Sequence, residues 1–292
     1  MSLPLSEFNS VSNEVINLTG QGPAVAVVQL VSKLNVADNL REAALLIQRA
    51  SLQGARLVML PESFAVFGDP QMVSHGAASA IPKRGLRLWL SQQAKANNVW
   101  LIGGTIPCQQ GIRDFKKVRS ACFVYDYEGE EVARYDKIHM FDVDIADSHG
   151  SYRESDTFEA GDELVVVDTP VGKVGLTICY DLRFAEIHAK LVDLGAQIIV
   201  NGAAFTKTTG QAHWHTLLRA RAIETQCYVL AASHGGQHDH RQTFGHSMII
   251  DPWGEILAEL AEGPGTAVAQ VNLNHLQAIR TAFPLQSQRR LK

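Results

Sequence analysis

A chain of 292 residues that is 46% hydrophobic and 19% charged can bury a sizeable core, which excludes wholesale disorder. Twenty-six Lys and Arg against 30 Asp and Glu give a formal charge of −4, which argues against nucleic acid or an anionic membrane surface as the main partner. Four cysteines without a Cys-x-x-Cys pair are too sparse for a disulfide scaffold, so a reducing compartment is expected.

Residues 1–22 read as a polar N-terminal extension, followed by one domain over residues 23–292. The first twenty residues hold no Lys or Arg and carry Glu7 and Glu14, which fits neither a signal peptide nor an Arg-rich transit peptide. No apolar run approaches the ~20 residues of a bilayer span, so a cytoplasmic protein is expected.

The first strand is Ala24-Val-Ala-Val-Val-Gln-Leu30. A helix over Asp38 to Gln53 follows, with Leu40, Ala43, Ala44, Ile47 and Ala50 at helical spacing, and Gly54 closes it. Leu57–Leu60 begins the next strand, and a helix from about Leu86 to Asn98 feeds the strand Trp100–Gly104. Cys122–Tyr125 and Val132–Tyr135 form a hairpin around Glu128-Gly129-Glu130, and Leu164–Val167 pairs with Lys173–Ile178 across Pro170-Val-Gly172. Helices near Ala185–Leu194 and Ala212–Thr225 alternate with strands Ile198–Val200 and Tyr228–Ala231, before a β-hairpin that turns at Pro252-Trp-Gly254. This alternation of nearly continuous apolar strands with helices predicts a layered α/β domain whose sheets are buried on both faces.

Functional groups of α/β sheets tend to follow the carboxyl ends of strands. Three such positions stand out: Glu62 in Leu60-Pro-Glu-Ser-Phe64, Lys137 in Tyr135-Asp-Lys-Ile-His-Met140, and Cys179 in Ile178-Cys-Tyr-Asp-Leu-Arg-Phe184. Each alone has an ordinary explanation: a capping carboxylate, a solvated lysine, a buried inert thiol. Together they supply a nucleophile, a base and an oxyanion donor. Cys179 sits where a strand turns into a helical stretch, a geometry that exposes a nucleophile and whose helix N-terminus would favour the thiolate.

With those three segments in that chain order, the sequence resembles the nitrilase superfamily of carbon–nitrogen hydrolases over roughly Ala24 to Arg290. The resemblance implies a single-domain α-β-β-α sandwich of four layers, paired as a homodimer through its helical layer. It also implies a cofactor-independent amidase with a Glu62, Lys137 and Cys179 triad and a thioester intermediate. The backbone N–H of Tyr180 would join Lys137 in holding the oxyanion. A second glutamate that positions substrate or water matches Glu154, with Glu159 and Glu163 close by in sequence. The segment Ala203–Trp214, with Gly245–Gly254, looks most similar to the deaminated-glutathione amidase branch, whose members cleave 2-oxoglutaryl from cysteinylglycine. The ω-amidases share much of this pattern. Asn201-Gly202 departs from it, since relatives usually carry an aromatic and a proline there.

A carboxylate-bearing substrate needs a cationic anchor, for which Arg183 is the candidate; pairing with Asp181 or Glu186 is its structural alternative. Phe205, Thr208 and Thr209 complete the expected substrate contacts. His213, His215, His234, His238 and His240 lack metal-ligand spacing, so no metal is expected, and His238-Asp-His240 reads as a solvated loop. No phosphate-cradling glycine motif is present, so nucleotide binding lacks support, and the partner the resemblance implies is a small-molecule amide. A different class, a non-catalytic binding protein on the same scaffold, stays open, because fold does not ensure activity. Substrate protection of the Cys179 thiol separates the two.

Overall fold

The computed structural model describes residues 22–69, 71–145, 150–239 and 241–290. Apart from Gly22, the expected N-terminal extension therefore lies outside the described residues, as does His240.

Two large sheets form the centre. The first runs in the order β17 (Gly265–Gln270), β1 (Ala24–Gln29), β2 (Ala55–Met59), β3 (Trp100–Ile102), β5 (Arg119–Tyr125) and β4 (Ile106–Cys108), with β6 (Glu131–Asp136) also paired to β5. The second runs β16 (Ile256–Glu259), β15 (Met248–Ile250), β12 (Tyr228–Ser233), β11 (Ile198–Ala203), β10 (Gly172–Ile178) and β9 (Val166–Thr169). Two short hairpins lie beside them, β7 (Asp142–Asp144) with β8 (Ser151–Arg153) and β13 (Gly235–Gln237) with β14 (Gln242–Phe244).

The two-residue period of the strands builds the layers. Val25 and Val27 of β1 point into the space between the sheets, where they meet Val174, Leu176, Ile198 and Val200. Their neighbours Ala26 and Val28 point outward onto α1 (Val36–Leu52) and α3 (Gly85–Asn97), against Ala43, Ile47, Leu90 and Ala94. On the far side, Ile199 meets Leu191 of α4 (Ala185–Asp193), and α5 (Lys207–Thr225) buries Trp214, Leu218 and Ala222. The result is four layers, α-β-β-α. Leu194, Ile223 and Phe283 stay exposed near the ends of α4, α5 and α6 (Leu273–Ala282), and Trp253 stays exposed in the turn between β15 and β16.

Local signals explain most boundaries. Asn35 caps α1 by accepting from Asp38 N–H, with Asp38 in the first turn and Arg49 in the last, as the helix dipole favours. The helix at 207 begins five residues earlier than the apolar pattern predicts. Thr206 caps it by accepting from Thr209 N–H, and Gly210, a poor helix former, is needed because any Cβ there would overlap Phe244. The pattern does not announce α2 (Met72–Ser79), β17, α6 or α7 (Leu285–Gln288). β17 closes the first sheet by pairing antiparallel with β1, a contact between chain ends that no local window contains.

The topology also sets where chemistry collects. β1, β2 and β3 are parallel, and so are β10, β11 and β12. Two antiparallel steps, β3 to β5 and β5 to β6, return β6 to the direction of β3. The segments after β2, β6, β10 and β11 therefore all emerge at carboxyl ends. Those segments carry Glu62, Lys137, Cys179 and Phe205.

Candidate active site

Lys137 follows β6 directly and is almost wholly buried, at 2% exposure. A buried ammonium requires partners, and it has two acids. Its Nζ donates to Glu62 Oε1 at 2.8 Å and to both Glu154 oxygens at 2.8 Å. Phe141 N–H donates to Glu154 Oε2 at 2.7 Å and aims that carboxylate. Burial disfavours the lysine charge, but Glu154 and then Glu62 outweigh it, so its pKa stands well above the ordinary value. The Glu154 carboxyl is pushed up by burial, with Lys137 opposing and the Glu62 charge adding to the rise.

Of the three neighbouring glutamates, Glu154 is the one that reaches Lys137. Glu159 instead binds Arg119 at 3.1 Å and accepts from Arg113 N–H, and Glu163 is exposed. Glu154 opens a short 3-10 turn, Glu154–Asp156, directly after β8, which places it over the lysine.

Cys179 occupies the first residue past β10, with φ +46, a left-handed conformation that costs a non-glycine residue about 1–2 kcal/mol. The strained turn lifts the side chain out of the strand and into the cavity, as at a nucleophile elbow. The chain continues from the cysteine as a five-residue 3-10 turn, Cys179–Arg183, so the α-helical N-terminus expected to favour a thiolate is missing there. Burial and then the Glu62 charge push the Cys179 thiol well up, against Lys137 and the Ala204 backbone amide.

Two further groups hold this arrangement. Asp181, fully buried, accepts from Tyr135 O–H at 2.6 Å, Ile178 N–H at 2.9 Å and His139 N–H at 3.0 Å, with His139 Nδ1 also 2.7 Å away. It thereby ties the cysteine turn to the residues flanking Lys137. On the other flank, Gly104 at φ +54 lets the chain pass so close to Pro61 that a Cβ would overlap the Pro61 carbonyl.

The cavity over these groups has a volume of about 410 Å³, and its walls include Phe67, Phe141, Tyr180, Phe205 and Thr206. Arg183 lies over the rings of Phe205 and Tyr180, with centroid distances of 5.1 and 5.7 Å, and meets His213 Nδ1 at 3.2 Å. Among the described residues it has no carboxylate partner, Asp181 being committed elsewhere, so the purely structural ion pair is absent. Arg241 is a second arginine in the wall without a carboxylate partner among the described residues; it lies 4.3 Å over Phe67. Sequence reasoning missed it because nothing nearby in sequence marks an arginine in the β13–β14 turn as facing a cavity.

Two expectations, for Thr208 and for His238, need correction. Thr208 is exposed and does not line the cavity, whereas Thr209 does; on a helix that starts at Lys207 the two point about 100° apart. Asn201 and Gly202 do not line it either. Gly202 backs the Glu62 segment, and Asn201 donates to Thr177 Oγ1 at 3.0 Å. His238 is buried rather than solvated, with Nδ1 2.6 Å from the Ser32 carbonyl and Nε2 2.8 Å from Thr243 Oγ1.

His188, His234 and His238 share a consequence of burial, which depresses their pKa values to about 4, about 3 and about 4. An unfolded histidine titrates near ~6.5, so between that value and ~4 the unfolded chain binds protons that the folded chain refuses. Stability contributed by these three sites is complete above pH 6.5 and is lost on acidification, by up to ~1.4 kcal/mol per pH unit for each. Thermal unfolding is expected to drop steadily from pH 6.5 to 5, less so in His188→Gln. A melting temperature unchanged over that interval would exclude the burial-driven effect.

Comparison with known proteins places this geometry. The Carbon-nitrogen hydrolase family profile matches residues 24–281. A deaminated glutathione amidase of Yersinia enterocolitica is 42% identical over 263 residues, 89% of this chain and 91% of that protein. The crystal structure of the Caenorhabditis elegans NitFhit protein superposes with a TM-score of 0.84 at 35% identity over 92% of this chain, which spans 65% of that longer one. A Saccharomyces cerevisiae member of branch 10 of the nitrilase superfamily superposes with a TM-score of 0.83 at 32% identity, covering 94% of this chain and 98% of its own.

Proposed function

The chain belongs to the carbon–nitrogen hydrolase family, and from that premise we propose that it hydrolyses the amide of deaminated glutathione, giving 2-oxoglutarate and cysteinylglycine. The observation that carries the chemistry is one buried ammonium, Lys137, held at 2.8 Å by two carboxylates in the cavity that receives the strained Cys179.

Cys179 Sγ attacks the amide carbon as its proton passes to Glu62, and the C=O electron pair moves onto oxygen. The Lys137 ammonium has three N–H groups. One serves Glu62, one can be shared by the two Glu154 oxygens, and the third is left for the oxyanion, together with the Tyr180 backbone N–H. Collapse breaks the C–N bond, and the amine leaves with the proton from Glu62. Water then gives a proton to Glu62 and attacks the thioester carbon, releasing the acid and restoring the thiol. Glu154 keeps Lys137 charged and in place throughout.

The cavity favours a substrate with two carboxylates. Deaminated glutathione carries one beside its 2-oxo group and one on its glycine, and the wall offers two arginines without acid partners among the described residues, Arg183 and Arg241. Arg183, on the turn that carries Cys179, is assigned to the 2-oxo acid end, and Arg241, over Phe67, to the glycine end.

An amide panel tests both substrate and anchors. Deaminated glutathione is expected to exceed 2-oxoglutaramate, N-carbamyl amino acids and simple nitriles in kcat/KM. A charge-assisted hydrogen bond is worth ~1.5–3 kcal/mol, so each lost anchor should raise KM ~10–100-fold. Arg183→Ala should do so for deaminated glutathione and 2-oxoglutaramate alike, and Arg241→Ala for deaminated glutathione alone. A preference for 2-oxoglutaramate, with Arg241→Ala silent, would move the chain to ω-amidase chemistry.

A further inference from the structure

We propose that His215, His246 and Glu259 form a divalent transition-metal site on the outer face of the second sheet, separate from the cavity. The three residues come from three elements: α5, the segment between β14 and β15, and β16. Their donor atoms all lie within 4.8 Å of one another. His215 Nε2 is 2.7 Å and His246 Nδ1 2.6 Å from the same oxygen, Glu259 Oε1. None of the three lines the cavity.

Two imidazole nitrogens and one carboxylate oxygen suit zinc and its first-row neighbours, leaving outer positions for water. Tetrahedral bonds of ~2.0–2.1 Å would separate the ligand atoms by ~3.3 Å, so the carboxylate has to open by roughly half an ångström or slightly more. Glu259 has no lysine or arginine partner among the described residues, and the two histidines are its ion-pair neighbours. In the metal-free protein each ring turns one N–H toward that oxygen. Moving this hydrogen to the other ring nitrogen frees a lone pair for the metal without changing the ring's charge. Side-chain exposures of 36%, 28% and 30% leave a path for the ion.

The site is also held in shape. The His246 carbonyl accepts from Trp214 Nε1–H at 2.8 Å, its backbone is left-handed at φ +55, and its ring stacks on Phe244 at 4.4 Å. The His215 ring stands edge-on to both. Phe244 N–H donates to the carbonyl of Phe205, a wall residue of the cavity, at 3.0 Å. A bound ion would therefore staple α5 to β16 and stiffen that wall. Local spacing along the chain hides the cluster: the β15–β16 pairing, with Met248 opposite Glu259, sets His246 beside Glu259, and the packing of α5 on the second sheet adds His215.

The test uses Co²⁺ and Zn²⁺ on the full chain with Cys179 first alkylated, so that the active-site thiol does not capture the ion. One equivalent is expected to bind with ligand-field absorption from Co²⁺ and a raised melting temperature from Zn²⁺. His215→Ala and Glu259→Gln should weaken binding by more than the ~10–100-fold typical of losing an outer-shell partner, whereas His213→Ala should leave it unchanged. Equal affinity in wild type, His215→Ala and Glu259→Gln, or no binding by the wild type below millimolar metal, would overturn the assignment. Neither result depends on which amide the cavity cleaves.

Discussion

Replacing Cys179 by alanine is expected to lower kcat for the amide by a factor on the order of 10⁶, as loss of the nucleophile does in acyl transfer generally. In the proposed scheme this thiol forms the bond to substrate, and none of the other cysteines, Cys108 in β4, Cys122 in β5 and Cys227 before β12, lines the cavity. Mass spectrometry of rapidly quenched wild type should find the acyl group on Cys179, and the alanine variant should carry none. A binding protein on this scaffold would lose nothing on substitution, so full hydrolysis by Cys179→Ala would end the catalytic reading. The backbone adds a second readout. At φ +46 alanine keeps the left-handed strain that glycine does not feel, and neither variant retains the sulfur. Cys179→Gly should therefore be about 1 kcal/mol more stable than Cys179→Ala in denaturant unfolding.

Lys137→Met should damage both catalysis and folding. Removing one oxyanion donor costs ~2.7–4 kcal/mol of barrier, a loss of ~10²–10³ in kcat. Besides its proposed oxyanion role, Lys137 neutralises two acids, Glu62 at 2.8 Å and Glu154 at 2.8 Å. Stranding buried charges by deleting their partner typically costs ~3–5 kcal/mol, a large part of the ~5–15 kcal/mol that holds a domain together. The combined variant Lys137→Met with Glu154→Gln removes one stranded charge and should recover part of that stability without recovering kcat. The split matters. If stability returned together with activity, Lys137 would be a structural ion-pair member and not an oxyanion donor.

The distance between what was legible in the chain and what was not reflects the range of the interactions involved. Glu62, Lys137 and Cys179 stand out in the sequence because each follows a strand, and strand ends are visible locally. The choice of Glu154 over Glu159 and Glu163 could not be read from spacing, since it depends on β8 delivering one carboxylate to a lysine seventeen positions upstream. Thr208 and Thr209 look alike in sequence; the start of α5 at Lys207 sends one to solvent and the other to the cavity wall. His238 looks like a loop residue, yet it is buried by contacts with Ser32, about two hundred positions away.

Composition, alternation and strand-end residues by themselves determined a layered α/β domain with an acid, an ammonium donor and a thiol at its disposal. Tertiary structure decided the rest: that two sheets meet with their carboxyl ends together, that burial and the Glu62 charge push the Cys179 thiol up, that Arg241 joins Arg183 in the wall, and that two histidines and a glutamate converge on the outer face. The physical reason is that periodicity records which face of an element is buried, whereas charge state and ligand geometry depend on desolvation and on partners that the chain brings close only by folding.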